Sequence, residues 1–462
     1  MSDIYKPKGE ITVFLSLVFV LMLSFILSML DGAILQASKS EYRLMADLAI
    51  FSVFGEYQKE LLEEYGIFSL EGTYEKGVFD ERDIIDRMRY YGSFGMEHEI
   101  EGIQFLTDNF GSGFREQVLY YMEDKYFISD LRDITGLSSQ WSQQEIEGEQ
   151  FLQEEKGILS ELSGELSENE VELPTEDNAI SHVSGLKNRP ILSLVAPEEM
   201  TISSRTISLD NQASRRNLRT GRGELPARAN TTSVDQQWLY QNYLFEKFYH
   251  ALSEDNEETN RNLAYEIEYM LEGKDSDAKN LEAVVIKIFL GRFAANVVHV
   301  YGCMEKKQQA MKMAVKMASL VKLPPLAPVI QHALLLAWAF GESIVDIRAL
   351  LSGKKVPTLK AKGDWQLSLS NLLTLGTEED KEKGKDSDKG LDYEGYLRIL
   401  LLTANNNSLT MRTLDRVEQN MVFEHEKSFF RVDNCVNKLK IHNQASIRNG
   451  VTYDFPLYFS YL

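Results

Sequence analysis

Ile11-Thr-Val-Phe-Leu-Ser-Leu-Val-Phe-Val-Leu-Met-Leu-Ser-Phe-Ile-Leu-Ser-Met-Leu30 is a run of twenty residues with no charge, no proline and no glycine. At 1.5 Å rise per residue a helix of this length spans about 30 Å, the thickness of a bilayer's hydrocarbon core. A cleaved secretory signal would carry a shorter apolar region and a small-residue cleavage site. This run is longer and ends in Leu30-Asp31-Gly32-Ala33, so it reads as an uncleaved transmembrane helix. Lys6 and Lys8 precede it, and the positive-inside bias then keeps residues 1–10 in the cytoplasm and places the bulk of the chain outside the cell. Ser24, Ser28 and Gly32 recur at spacing four, the pattern that lets helices approach closely in lipid. Serines there can instead bond back to the preceding turn.

Beyond the span no strong breaker follows Gly32. Leu44, Leu48, Phe51, Phe54, Leu61 and Tyr65 recur at steps of three, four and seven, which predicts one amphipathic helix continuing to about Tyr65, with Gly66 as its stop. Residues 67–137 hold turn signals and a weakly alternating run with Ile100, Ile103 and Phe105, readable as a strand. From Glu145 to Asp177 there are twelve acids and one lysine, and from Arg205 to Arg228 six arginines and two acids. Such charge-segregated tracts predict a flexible linker over 138–234 with one or two marginal helices. The arginines could meet anionic polymer or lipid, or fold back on the acidic tract.

A helical domain is expected over 235–376. Its most apolar stretch follows Pro324, Pro325 and Pro328 and is broken by Gln331 and His332, so it suits a buried bundle helix and not a second span. Residues 377–390 read as a charged loop. Residues 391–462 read as helices ending in a β hairpin, with Val451, Tyr453, Phe455 and Leu457 alternating after an Asn449-Gly450 turn. The fold class expected is mainly α (α+β), with a small C-terminal β element.

The order Lys8-Gly9, Asp31, Leu35-Gln36-Ala37 and Met45-Ala46-Asp47-Leu48-Ala49 resembles the N-terminus of TadE- and TadG-type tight-adherence pilus-assembly proteins. It implies a small pilin-like unit over 31–137. Type IV prepilins place a glutamate five residues after the processed glycine, whereas Phe14 stands there in this chain. A second likeness covers Lys8–Phe19, Trp338–Pro357 (with Glu342 and Asp346), Trp365–Leu369 and Leu391–Leu402. These blocks are similar to an uncharacterised family of clostridial-type Gram-positive envelope proteins linked to Tad pilus loci. The resemblance implies a membrane-anchored envelope component whose partners are the membrane and other pilus or envelope membrane proteins.

The formal charge of −21 lacks the basic footprint that nucleic-acid binding requires. No catalytic motif of the G-x-S-x-G, H-E-x-x-H or P-loop kind occurs, and no cofactor is implied. Glu342 and Asp346, four apart, would share a helix face and suit either acid–base work or an ion network with Arg348, Lys354 or Lys355. His299 and Cys303 supply at most half a metal site. Asp386, Asp388 and Asp392 lack the glycine and glutamate of a calcium loop. Lys306, Lys307, Lys312, Lys316 and Lys322 flank a methionine-rich helix, and Cys303 and Cys435 are expected as free thiols. The expected role is therefore non-enzymatic, with a tethered extracellular enzyme or a surface binding module as alternatives.

Overall fold

A computed structural model describes residues 10–125, 134–174, 178–226, 234–254 and 260–461. Lys6, Lys8, Gly9, Asp177 and Arg228 lie outside the described residues. The chain forms two compact units, one of residues 1–117, 218–229 and 427–462, the other of residues 118–217 and 230–426. Both ends of the chain therefore belong to the first unit.

The first unit is built on α1, Glu10–Phe54. Helix α1 stops short of the expected end at Tyr65. Gly55 breaks it, and Glu56 is drawn into tertiary contact by the Tyr91 hydroxyl (2.6 Å) and the Arg87 guanidinium (3.2 Å). A separate helix α2, Lys59–Tyr65, then ends at Gly66, whose φ of 68° is the left-handed stop the sequence suggested. The short strand β1 (Leu70–Glu71), helix α3 (Glu81–Tyr90), strand β2 (Met96–Phe105) and helix α4 (Asp108–Lys125) follow along the chain. From the far end of the chain come β3 (Cys435–Ile447) and β4 (Val451–Ser460), joined at Gly450 with φ 71°.

Strand β3 is the middle of an antiparallel sheet. It pairs with β2 (Ile100 opposite Ile441), with β4 (Leu457 opposite Ile441) and with β1 (Leu70 opposite Val436). Alternation puts Met96, Ile100, Leu439, Ile441, Phe455 and Leu457 on the inner face, where Ala46, Ala49, Ile50 and Val53 of α1 cover them. Small alanines bring the helix close to the sheet.

In the second unit, α5 (Ile134–Glu168), α10 (Asp277–Gly302) and α12 (Ala327–Leu351) pack together, with α11 (Met304–Leu320) against α12. Around them lie α6 (Ala179–Lys187), α7 (Ile191–Val195), α8 (Val234–Lys247), α9 (Glu266–Glu272), α13 (Tyr393–Thr403) and α14 (Asn406–Phe423). The apolar α10 is long enough to cross a membrane but is mostly buried here, as a core helix is.

Among its described residues, the stretch 138–234 expected as a linker carries most of α5, with α6 and α7, and belongs to the two units. Its acidic tract forms α5, which anchors itself by Trp141; the indole ring occupies the space that a side chain on Gly291 of α10 would need. Two of the described arginines, Arg216 and Arg222, pair with acids outside that tract. Arg216 pairs with Glu418 through two bonds of 2.6 and 2.7 Å in the second unit. In the first unit Arg222 pairs with Glu81 and exchanges backbone bonds with Ile103, while Arg219 lies 4.6 Å over the Phe79 ring.

The loop 377–390 is irregular, as expected, yet it is pinned to α12. Arg348 binds Asp380 at 2.7 Å, and Gly384 approaches Ala349 too closely for any side chain.

Candidate functional site

Two features of the chain are unusual enough to carry function, one in each unit. In the first unit α1 has two apolar faces. One covers the sheet. The other bears Leu44, Leu48 and Phe51, which are 59%, 56% and 68% exposed. The stripe read from the sequence is therefore split: Leu44, Leu48 and Phe51 are bare, whereas Phe54 and, on α2, Leu61 and Tyr65 are buried, and the packed face of α1 is Ala46, Ala49, Ile50, Val53 and Phe54. Along the earlier part of the helix, residues Ile11 to Leu30 are almost wholly exposed.

Eighteen residues make about five helical turns, so positions eighteen apart stand in line. Ser24, Ser28 and Gly32 line up with Tyr42, Ala46 and Ile50 on the sheet side. Ile26, Leu30 and Ala33 line up with Leu44, Leu48 and Phe51. The small-residue stripe and the bare stripe thus lie on opposite sides of one rod. The Ser24 hydroxyl donates to the Val20 carbonyl at 2.8 Å. Of the family-like positions on this helix, Asp31, Gln36 and Asp47 are exposed and Ala46 is buried.

In the second unit the sequence-predicted positions Trp338, Glu342, Asp346 and Trp365 come together. Glu342 and Asp346 do share one face of α12, and both are completely buried. Their partners are Lys360 and Arg292, not Arg348, Lys354 or Lys355. Lys360 Nζ bonds Glu342 and lies 2.6 Å from Asp346 Oδ1. Asp346 Oδ2 accepts from Arg292 Nε (3.1 Å), Arg292 Nη2 (3.0 Å) and Asn296 Nδ2 (2.9 Å). Glu342 also accepts the backbone N–H groups of Gln366 (2.9 Å) and Leu367 (2.7 Å). Both indole N–H groups, of Trp338 and Trp365, donate to the Leu367 carbonyl at 2.9 and 2.8 Å.

Burial raises the Glu342 carboxyl above its usual range against the pull of Lys360. Burial opposes ionisation of Asp346 as well, but Lys360 and Arg292 overcome it and hold that carboxyl low. Two carboxylates on one face are thus driven apart by their neighbours. Over the cluster, Lys306 Nζ sits 4.4 Å from the Trp338 ring and 4.2 Å from the Trp365 ring.

The remaining candidates resolve into structure. His332 does not join Glu342 and Asp346; its Nδ1 meets the Tyr301 hydroxyl at 3.2 Å. His299 Nδ1 meets the Lys360 carbonyl at 3.0 Å, and its ring stacks on Trp365. Asp386 accepts from the Lys355 N–H, and Asp392 caps α13. Cys303 and Cys435 are free thiols in different units. The buried face of α11 is Ala310, Ala314, Met317 and Ala318, with alanine rather than methionine prevailing.

Sequence reasoning missed Arg292, Asn296 and Lys360. Arg292 and Asn296 were detectable in principle, as polar residues four apart within the apolar run of α10.

By fold and site, then, this is a two-unit, mainly helical protein with a long N-terminal apolar helix fit to be a membrane anchor or a signal sequence. Residues 169–447 match a family of unknown function, DUF5702, and the chain belongs to that family. No curated protein and no solved structure matches it.

Proposed function

We propose that the protein is a single-pass, membrane-anchored, non-enzymatic component of a Tad-like pilus or cell-envelope assembly, with its N-terminus inside and its bulk outside. The observation that carries this reading is the bare stripe of α1. Leu44 lies fourteen residues past Leu30, roughly 20 Å along the axis, beyond the headgroup layer that flanks a bilayer core. Lipid therefore does not cover Leu44, Leu48 and Phe51. Leu30, Ile34, Ala37, Glu41, Leu44, Leu48 and Phe51 keep alternating steps of four and three, the seam of a helix that packs lengthwise on another. Only Glu41 is polar. A neighbouring membrane protein whose helix runs parallel from the same bilayer suits that seam.

Glu342 and Asp346 support a non-enzymatic role, since both are sealed from solvent and engaged by structural partners. The test is crosslinking in intact cells, followed by membrane fractionation. Wild type should appear in a membrane-bound crosslinked complex, with its bulk cut by protease added outside. Replacing Leu44, Leu48 and Phe51 together by Ser should abolish the complex and leave insertion intact. Replacing Ser28 and Gly32 by Leu tests the opposite side. A complex that survives the serine triple variant, or a bulk protected in the cytosol, defeats the proposal.

A further inference from the structure

The cluster under α12 places an amine against a carboxyl in a dry, fixed site. Lys360 exposes 1% of its side chain and Asp346 none, and nitrogen and Oδ1 are 2.6 Å apart. Both arms are immobilised. Asp346 stands mid-helix on α12, while the loop carrying Lys360 is tied by Arg292 Nη1 to the carbonyls of Pro357 (2.7 Å) and Thr358 (2.8 Å), and by His299 to the Lys360 carbonyl. The Trp365 ring shields the amine from one side, its centroid 5.6 Å from Nζ.

We propose that Lys360 and Asp346 condense to an intramolecular amide, with Glu342 as the proton carrier. This modification is independent of the α1 stripe and of the function proposed above.

The geometry supplies each part of the reaction. Glu342 first passes one proton from the Lys360 ammonium to Oδ1, and the neutral Nζ then attacks Cγ of Asp346, forming the C–N bond. The negative charge that develops on Oδ2 meets three donors already aimed at it, two from Arg292 and one from Asn296. Glu342, in contact with Nζ, then relays a second proton from the nitrogen to Oδ1, and the C–Oδ1 bond breaks to release water. An ammonium and a carboxylate enter; an amide and one water leave. No oxidant, cofactor or activating group is consumed. The raised Glu342 carboxyl suits a group that must hold and return a proton. The product also replaces one of the two buried ion pairs by a neutral link, removing charges whose desolvation is unfavourable. Arg292 and Glu342 remain, one charge of each sign.

Mass spectrometry of the full chain purified in detergent decides the matter. The expected mass is one water below that of the sequence. Because a cyclised aspartate would lose the same mass, the digest is the decisive reading. Trypsin should fail to release the linear peptide Val356–Lys360 and should yield a branched peptide joining Lys360 to Asp346. Glu342→Gln should restore the unreduced mass and the linear peptide, as should Lys360→Arg. Wild type with linear Val356–Lys360, or a branch from Lys360 to Glu342, overturns the proposal. A branch persisting in Glu342→Gln overturns the proton-carrier role.

Discussion

The two units solve the problem of an interior in opposite ways. The first hides alternating apolar side chains between a sheet and an alanine-faced helix, with His98 as a rare polar member of the inner side of β2. The second hides charge: Glu266, Glu268, Arg292, Glu342, Asp346, Asp415 and Arg416 are all fully buried. Packed apolar surface tolerates small losses, each about 1–3 kcal/mol per side chain. Buried ion networks do not, because removing one member strands the others. The largest effect should therefore come from Arg292→Ala, which leaves Asp346 short of two donors in a dry site. We expect about 3–5 kcal/mol of destabilisation in denaturant unfolding followed by far-ultraviolet dichroism. A loss below about 1 kcal/mol would show that the second unit does not depend on its charges.

The same contrast predicts opposite responses to acid. Glu268 is fully buried beside the Tyr393 hydroxyl (2.8 Å), and burial pushes its carboxyl up to about 7 from 4.5. Its protonated form is favoured by the fold, so its contribution is complete below pH 4.5 and is lost as pH rises to about 7. The difference is on the order of 3 kcal/mol. His98 behaves inversely. It sits between Ser93 Oγ (2.9 Å) and Asn443 Oδ1 (2.7 Å), and burial lowers it below 6.5. The fold favours its neutral form, so its contribution is present above pH 6.5 and is lost on acidification. Glu268→Gln should flatten the decline between pH 4.5 and about 7 in a pH series of unfolding midpoints, and His98→Gln the fall on acidification below pH 6.5. A single variant that removed both slopes would mean that the two units do not titrate separately.

The smallest effects should come from α1, where the contrast runs across a single helix. Ala46→Leu forces bulk against the sheet and should cost about 1–3 kcal/mol. Leu48→Ala, two residues on and facing away, should fall within about 0.5 kcal/mol in the isolated chain. Equal effects would erase the distinction between packed and bare faces.

What could be read from the sequence was whatever local pattern dictates. Twenty uncharged residues announce α1, Gly66 marks the end of α2, and alternation after Asn449-Gly450 marks the terminal hairpin. The packed face of α1 was not legible. Leucine and phenylalanine mark a hydrophobic stripe, but of its members on α1 only Phe54 packs on the sheet, beside Ala46, Ala49, Ile50 and Val53. Pairing of β2 with β3 joins residues more than three hundred positions apart, and no short-range signal encodes it. The acidic tract looked like a linker because its apolar residues are sparse. Trp141 and Leu162 nevertheless suffice to bury one face of α5. Glu342 and Asp346 were found as a pair, but their neutralisers were assigned to bases nearby in sequence, whereas Arg292 stands on another helix.

The central position of β3 also sets an order of assembly. During synthesis α1 leaves the ribosome before β2, whose inner face is then unpaired. The second unit, whose segments lie between residues 118 and 426, is complete before Cys435 has been made. Domains fold as units while the chain grows, so the helical unit can close early while the sheet waits. Contacts of such long sequence separation also form slowly. A chain cut short between residues 427 and 434 would therefore hold a finished helical unit together with a sheet that has lost its middle strand, and it would display Met96, Ile100 and Ile103 to whatever else is folding nearby.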